Sequence, residues 1–332
     1  MNHTRPVNFE LFEYTRIRGD EPLPPAHDRI LDVVVLDMNH GVANLGHDSL
    51  VHAIHESSLR LKKDEPISAR VFSFDVRRAT SFPHFDLDRF QLFIATGGPG
   101  HLDPSLNDGV SVWSEGVREN PSWEPWFNQL LDSILADDTA ALIAFCHAFG
   151  LVCRWGGVAE PKLRSEESRG IATYTLTDSA TDHPWFGAFA REISDQPRFR
   201  VLDSRLFDLI PLGSPRIPYD ALAFEANTDG EPTEALTMIE IARDRDAVMP
   251  RIFAANHHPE VVDVSHLLEV LDEKLAKGEV TEAWRDRKER FLLNLWNEPD
   301  LEERMRRTSR YTLLDLLEFH LERISSERPV LA

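Results

Sequence analysis

Cys146 closes the apolar run Ala141–Phe145 and is followed at once by His147-Ala-Phe-Gly150. A short buried strand that ends at a cysteine and turns into a helix presents that side chain at a sharp strand-to-helix turn, where hydrolytic enzymes hold a nucleophile. Far downstream, Asn256-His-His-Pro-Glu260 sets a histidine, His258, two residues before a carboxylate, Glu260. In an extended segment residues i and i+2 face the same side. Glu260 can therefore accept from one imidazole nitrogen of His258 while the other nitrogen faces a thiol. A thiol, a base and an acid that orients the base are the minimum set for thiol catalysis. His257 would point to the opposite face, and Pro259 belongs at a strand end or edge.

The helix after Cys146 offers free N–H groups and partial positive charge at its start, which favour a thiolate and can hold an oxyanion. A free cysteine taken alone is more often inert packing. Cys153, about two turns into the same helix, reads that way. Thr96-Gly-Gly-Pro-Gly100 is a loop whose glycines let backbone approach a ligand closely. Gly98 keeps an N–H that can point into a site, and Pro99 has none. His40, His147, His257, His258 and Glu260 could also be read as zinc ligands, since imidazole with carboxylate suits that ion. Their spacing matches no zinc motif, so the reading calls for no metal and no cofactor.

The elements that must position these groups follow from apolar patterning. Ile30–Leu36 is a continuous apolar strand, the signature of burial on both faces. Asp37-Met-Asn-His-Gly41 is the loop at its end. Residues 44–61 have helical spacing, Arg70–Asp75 and Gln91–Ala95 are further strands, and residues 122–136 are helical before the strand Ala141–Phe145. Strands alternating with helices imply parallel βαβ units, whose ligand sites lie at the strand C-termini. The Asp37 loop, the Gly97–Gly100 loop and Cys146 all occupy such ends. From Ile171 to Ala255 the strands are short with few helices between them, which suggests antiparallel pairing in that half. From Ser265 onward the chain is helical and charged. Leu267, Leu268, Leu271 and Leu275 make one apolar stripe, and Leu313, Leu314, Leu317, Leu321 and Ile324 make another. These stripes predict an interface rather than chemistry.

The chain has 332 residues, 42% apolar and 28% charged, with a formal net charge of −20. That balance argues against a nucleic-acid partner, which needs a basic surface. No apolar run approaches the roughly 20 residues that span a bilayer, and the N-terminus lacks a signal-peptide core, so no membrane is expected and the location is read as cytoplasmic. Two cysteines on one helix, Cys146 and Cys153, would sit about 10 Å apart at 1.5 Å per residue. A disulfide needs less than about 7 Å, so both are expected as free thiols.

Taken in order, these pieces resemble the class I glutamine amidotransferase domain. Leu36–Gly41 matches its first strand and loop, and Thr96–Gly100 its oxyanion loop. Phe145-Cys146 with Leu151–Val158 matches the nucleophile elbow and its helix. Gly170 to Gly187 matches the middle strands, Ser204–Gly213 a later hairpin, and His258-Pro-Glu260 the end of the triad. The resemblance implies an α/β fold with a mostly parallel central sheet flanked by helices. It also implies a division into an N-terminal extension (1–28), the amidotransferase-like domain (29–262) and a helical C-terminal extension (263–332). Cys146, His258 and Glu260 would be catalytic. The N–H groups of Gly98 and His147 would form the oxyanion hole, and Gly97, Gly100, Gly150 and Asn256 would bind substrate. The elbow departs from the family's Gly-x-Cys-x-Gly-x-Gln at Ala144, Ala148 and Gly150, and Asn256 replaces a glutamine. Free glutamine is therefore expected to be held poorly.

Two functions follow from this reading. One is a cysteine-dependent amidohydrolase or amidotransferase acting on a small glutamine- or γ-glutamyl-type amide through a thioester. The other is a catalytically silent relative that binds a small molecule or a protein. An amidotransferase would deliver ammonia to a separate synthetase or acceptor chain, and the C-terminal helices could dock that chain or pair two copies as a homodimer.

Overall fold

The structure is a computed structural model that describes residues 12–27, 30–60, 68–114, 116–193, 197–295 and 300–327. Six strands pair in parallel in the order β1-β3-β2-β4-β5-β10. They are β1 (Phe12–Ile17), β2 (Ile30–Asp37), β3 (Ser68–Asp75), β4 (Leu92–Ala95), β5 (Ala141–Phe145) and β10 (Pro250–Ala255). Both faces of this half are covered, and the strand residues alternate between two apolar cores. Val34, Leu36, Leu142 and Ala144 enter one core, while Val33, Val35, Ile143 and Phe145 enter the other. Helices α2 (Glu124–Ala136) and α3 (His147–Gly156) cover the first face through Phe127, Leu131 and Val152. Helix α1 (Leu45–Arg60) covers the second through Leu50 and Ile54.

The expectation of a mostly parallel central sheet does not hold. Among the described residues, five strand pairings are parallel and five are antiparallel. The antiparallel strands are β6 (Ala159–Leu176), β7 (Arg198–Pro211), β8 (Asp220–Ala226) and β9 (Pro232–Arg243). β6 pairs with β7 and β8, and β9 pairs with the same two, so the four strands close into a small barrel. A parallel pair needs a long crossover, whereas antiparallel strands need only a turn. Among the described residues between β6 and β7 there are only the short helices α4 (Asp178–Thr181) and α5 (Phe186–Glu192). β10 is the seam, parallel to β5 on one side and antiparallel to β9 on the other.

The N-terminal segment is also more than a surface extension. Residues 12–17 form the edge strand β1, and Arg16 reaches Asp37 at the end of β2. Residues 1–11 and 28 lie outside the described residues. The C-terminal region is helical: α6 (Val264–Ala276), α7 (Glu282–Leu295), α8 (Leu301–Ser309), a π-turn at Arg310–Leu314, and α9 (Asp315–Glu327). Both stripes bury residues against the chain itself. Leu267 and Leu271 join Leu292, Leu301 and Met305, while Leu313, Leu317, Leu321 and Ile324 pack on the core beneath the parallel strands. No helix among the described residues is long and apolar enough to cross a membrane.

Two buried imidazoles tie the tail to β10. His257 Nε2 lies 3.1 Å from Thr312 Oγ1, and His320 Nε2 donates to the Pro250 carbonyl at 2.8 Å. Burial pushes His257 down to about 3 and His320 down to about 4. Both stay neutral in the folded chain while the unfolded chain takes up protons below about pH 6.5. Stability should therefore fall as pH drops from about 6.5 towards 4, by roughly 1.4 kcal/mol per pH unit for each group. Urea unfolding across this range checks the slope, and His320→Gln should make it shallower by one proton. An identical slope in that variant would show that His320 is not the group titrating.

Candidate active site

Cys146 occupies the turn between β5 and α3 with φ 51° and ψ −109°, a backbone region that side chains with a Cβ rarely adopt. Two things hold it there. Its amide donates to the Ala255 carbonyl at 2.9 Å, and its own carbonyl accepts from Gly150 N in the first turn of α3. The space beneath the turn is made by small residues. Ala144 is flanked in register by Ala95 of β4 and Ala254 of β10, and all three are buried in one core with Ala148. The alanines that replace elbow glycines are thus accommodated by alanines on the neighbouring strands. The Cys146 sulfur is part-exposed and lies 3.5 Å from the Ser204 carbonyl oxygen. Cys153 is fully buried, and burial pushes its thiol up.

The parallel register brings the other groups to the same edge. β4 and β10 flank β5, so the segments after Ala95 and Ala255 emerge beside Cys146. A Cβ on Gly97 would fall 3.1 Å from His258 Cε1 and 3.5 Å from Cys146 Sγ, so thiol and imidazole converge over this glycine. His258 Nδ1 lies 2.8 Å from Glu260 Oε1. The His258 side chain is 14% exposed and that of Glu260 2%. Burial pulls the His258 imidazole down. The Cys146 sulfur and the Glu260 carboxylate outweigh that and hold it well above the ordinary histidine value. Both neighbours thus favour the charged form of His258. The His258 amide donates to the Leu202 carbonyl at 2.9 Å, which anchors the segment to the barrel. Gly46, in the first turn of α1, leaves room for Glu260: a Cβ there would sit 2.6 Å from Glu260 Oε1.

The remaining site residues divide by what surrounds them. Gly98 packs against the Met38 carbonyl, 2.0 Å from where its Cβ would be, so no side chain fits. Gly100 has φ +91° and packs against Asn107 Oδ1. His147 is buried at the start of α3, where burial and then the Arg77 charge pull it well below the ordinary value, and its Nε2 has no hydrogen-bond partner. At Gly150 the Cβ position is filled by Leu102, whose methyls lie 2.5 Å from it. Asn256 turns to the barrel, donating to Asp203 Oδ1 at 3.2 Å and reaching the Tyr174 hydroxyl at 3.4 Å. The five residues read as a zinc set do not converge. Among the described residues, the grouping that does is His52, His55 and Glu56 on α1.

Sequence patterning gave no sign of what fixes the glycine loop. Arg77 and Glu119, both with fully buried side chains, form a two-pronged ion pair at 2.6 and 2.8 Å. Arg77 also donates to the carbonyls of Met38 (2.9 Å) and Pro99 (2.7 Å), so one guanidinium binds both strand-end loops. Asn107 Nδ2 and Trp123 Nε1 donate to the same carboxylate. Arg77 follows the C-terminal end of β3, and that position is the one signal in the sequence that could have singled it out.

No protein-family model matches the chain, and no curated protein matches it. Solved structures that loosely resemble it include glutamine amidotransferases. One from Thermotoga maritima is 15% identical with a TM-score of 0.49, covering 91% of this chain and all of that one. One from Methylobacillus flagellatus is 10% identical with a TM-score of 0.43, over 90% and 93% of the two chains. A candidate GMP synthase component from Thermoplasma acidophilum is 13% identical, with a TM-score of 0.43 over 70% and 85%. These likenesses are loose, and the functional reading rests on this chain's own geometry.

The turn at Cys146 should cost the fold energy that a glycine would release. Left-handed backbone at a non-glycine costs on the order of 1–3 kcal/mol, partly offset by the extra freedom glycine has when unfolded. Cys146→Gly should therefore be more stable than Cys146→Ala by about 1 kcal/mol. Paired urea titrations measure this, and a glycine variant no more stable than the alanine one would mean the turn is unstrained.

Proposed function

We propose that the chain is a cysteine-dependent amidohydrolase or amidotransferase of the class I glutamine amidotransferase type. The observation that carries this is His258 held between the Cys146 thiol and the Glu260 carboxylate, with its charge stabilised by both. The Cys146 thiolate attacks the carbonyl of a small γ-glutamyl-type amide. The N–H groups of Gly98 and His147 receive the oxyanion. His258 gives its proton to the leaving amine, leaving a thioester on Cys146. It then takes a proton from the attacking water, and cleavage of the C–S bond releases the acid and restores the thiolate–imidazolium pair. Glu260 orients His258 and offsets its charge. In the amidotransferase form of the reaction, the ammonia passes to an acceptor on a separate synthetase chain.

The filled position at Gly150 bears on the substrate. Leu102 occupies the space a longer side chain would need, so position 150 offers no side chain to a bound amino acid. Asn256 is engaged with Asp203 and Tyr174. This favours an amide other than free glutamine. It is also the observation that favours the second reading, a silent relative that binds without turnover.

The two readings separate on thiol reactivity. Iodoacetamide should alkylate Cys146 at neutral pH at least about tenfold faster than a free model thiol, with the buried Cys153 slower still, and His258→Ala should remove most of the advantage of Cys146 over the free thiol. Peptide mass spectrometry over a time course reads both sites. A Cys146 rate unaffected by loss of His258 would sink the triad and leave the silent reading.

Glutaminase activity of the isolated chain should lie well below the ordinary enzyme turnover of about 10 per second. Coupled ammonia release from glutamine checks this. An ordinary turnover would show that groups other than those at Gly150 and Asn256 recognise glutamine.

A further inference from the structure

Helix α1 carries a group of side chains that the proposed reaction does not use. His52, His55 and Glu56 fall at i, i+3 and i+4, which places them on one face of the helix. One ligand atom from each lies within 4.8 Å of the others. None of the three is fully buried, so an ion can reach them. Two imidazole nitrogens and a carboxylate oxygen form a donor set suited to zinc, with bonds near 2.0–2.2 Å. At those lengths neighbouring ligands in a tetrahedral site lie roughly 3.3 Å apart, so small side-chain rotations close the set.

The two rings are held in place from outside the helix. His266 of α6 stacks on His52 with ring centroids 3.7 Å apart, and Phe12 of β1 packs against His55 at 4.6 Å. The Nε2 atom of His266 is buried and has no hydrogen-bond partner.

We propose that His52, His55 and Glu56 form a binding site for a divalent transition-metal ion of the zinc class, with His266 stacked behind His52. The site lies about 9–15 Å along α1 from Gly46 at 1.5 Å per residue, so it stands apart from the Cys146 centre. Its place suggests a structural role. α1 begins against Glu260, and α6 is capped by Asp263 just after it. An ion on α1, with His266 stacked on one of its ligands, stiffens the two helices that flank this carboxylate.

The test uses the full chain without a histidine tag, in a Cys146→Ser background that removes the site's thiol as a competing ligand. Cobalt(II) is titrated as the spectroscopic probe. One equivalent should produce visible d–d absorption that zinc(II) abolishes, and zinc should raise the unfolding midpoint. His52→Ala and His55→Ala should each lose the band, and Glu56→Gln should weaken cobalt binding by roughly tenfold or more, with folding of each variant confirmed by circular dichroism. A spectrum unchanged by excess cobalt, or the same band in the folded His55→Ala variant, would overturn the proposal. Either result leaves the Cys146 reading untouched, because that reading is scored on thiol alkylation.

Discussion

The hydrogen bond from the Cys146 amide to the Ala255 carbonyl is the constraint on which the site depends. It extends the parallel pairing of β5 and β10 by one step past the last paired residues, Phe145 and Ala255. That step holds Cys146 in its left-handed turn and launches Asn256 to His258 alongside it. Because β10 is also antiparallel to β9, the same strand locks the parallel half to the barrel. The proposed triad therefore spans the seam between the halves. The thiol comes from the parallel side, and its base is anchored to the barrel by the bond from His258 N to the Leu202 carbonyl.

Strain at one point is held by rigidity around it. A turn with φ 51° at a cysteine persists only where the surroundings over-determine it. Here the alanines at 95, 144 and 254 keep the strands flush below the turn. The Arg77–Glu119 pair fixes the loop above it. Such a pair gains little over apolar packing, because desolvating two charges costs about what their attraction returns. Losing one partner would strand a buried charge at a cost of about 3–5 kcal/mol. The pair is better understood as a positioning device. It ties the Met38 and Pro99 carbonyls to one guanidinium and so sets where the glycine loop lies.

Groups whose relation is local were legible in the sequence. The apolar run into Cys146 placed the thiol at a strand end, and His258 does meet Glu260, though through a turn at Pro259–Glu260 after β10 and not through the period-two spacing of a strand. The alternation of strands and helices up to residue 145 also read correctly as parallel units. The barrel did not, because closing it depends on β9 meeting both β7 and β8, and such long-range pairing leaves no periodic trace. β1 was missed for a different reason. Its sequence, Phe-Glu-Tyr-Thr-Arg-Ile, is mostly exposed along an edge and carries no apolar run. The Arg77–Glu119 pair joins residues 42 apart, and Gly46 matters only because Glu260 folds against it.

Adjacent histidines show how far the surroundings, rather than the residue type, decide function. His257 and His258 are chemically identical and leave the end of β10 on opposite sides. His257 is buried against Tyr174 and Phe199 and meets a hydroxyl, Thr312, in the π-turn of the tail. It is held neutral, down to about 3, by burial and by the charge of its neighbour. His258 faces a thiol and a carboxylate, which together raise it well above the ordinary histidine value. The two states support each other. A proton on His257 would repel the one on His258, so keeping the first imidazole dry and neutral helps the second keep its charge. The helical tail thus bears on the site without entering it: by covering His257, it preserves the electrostatic asymmetry on which an imidazolium beside Cys146 depends.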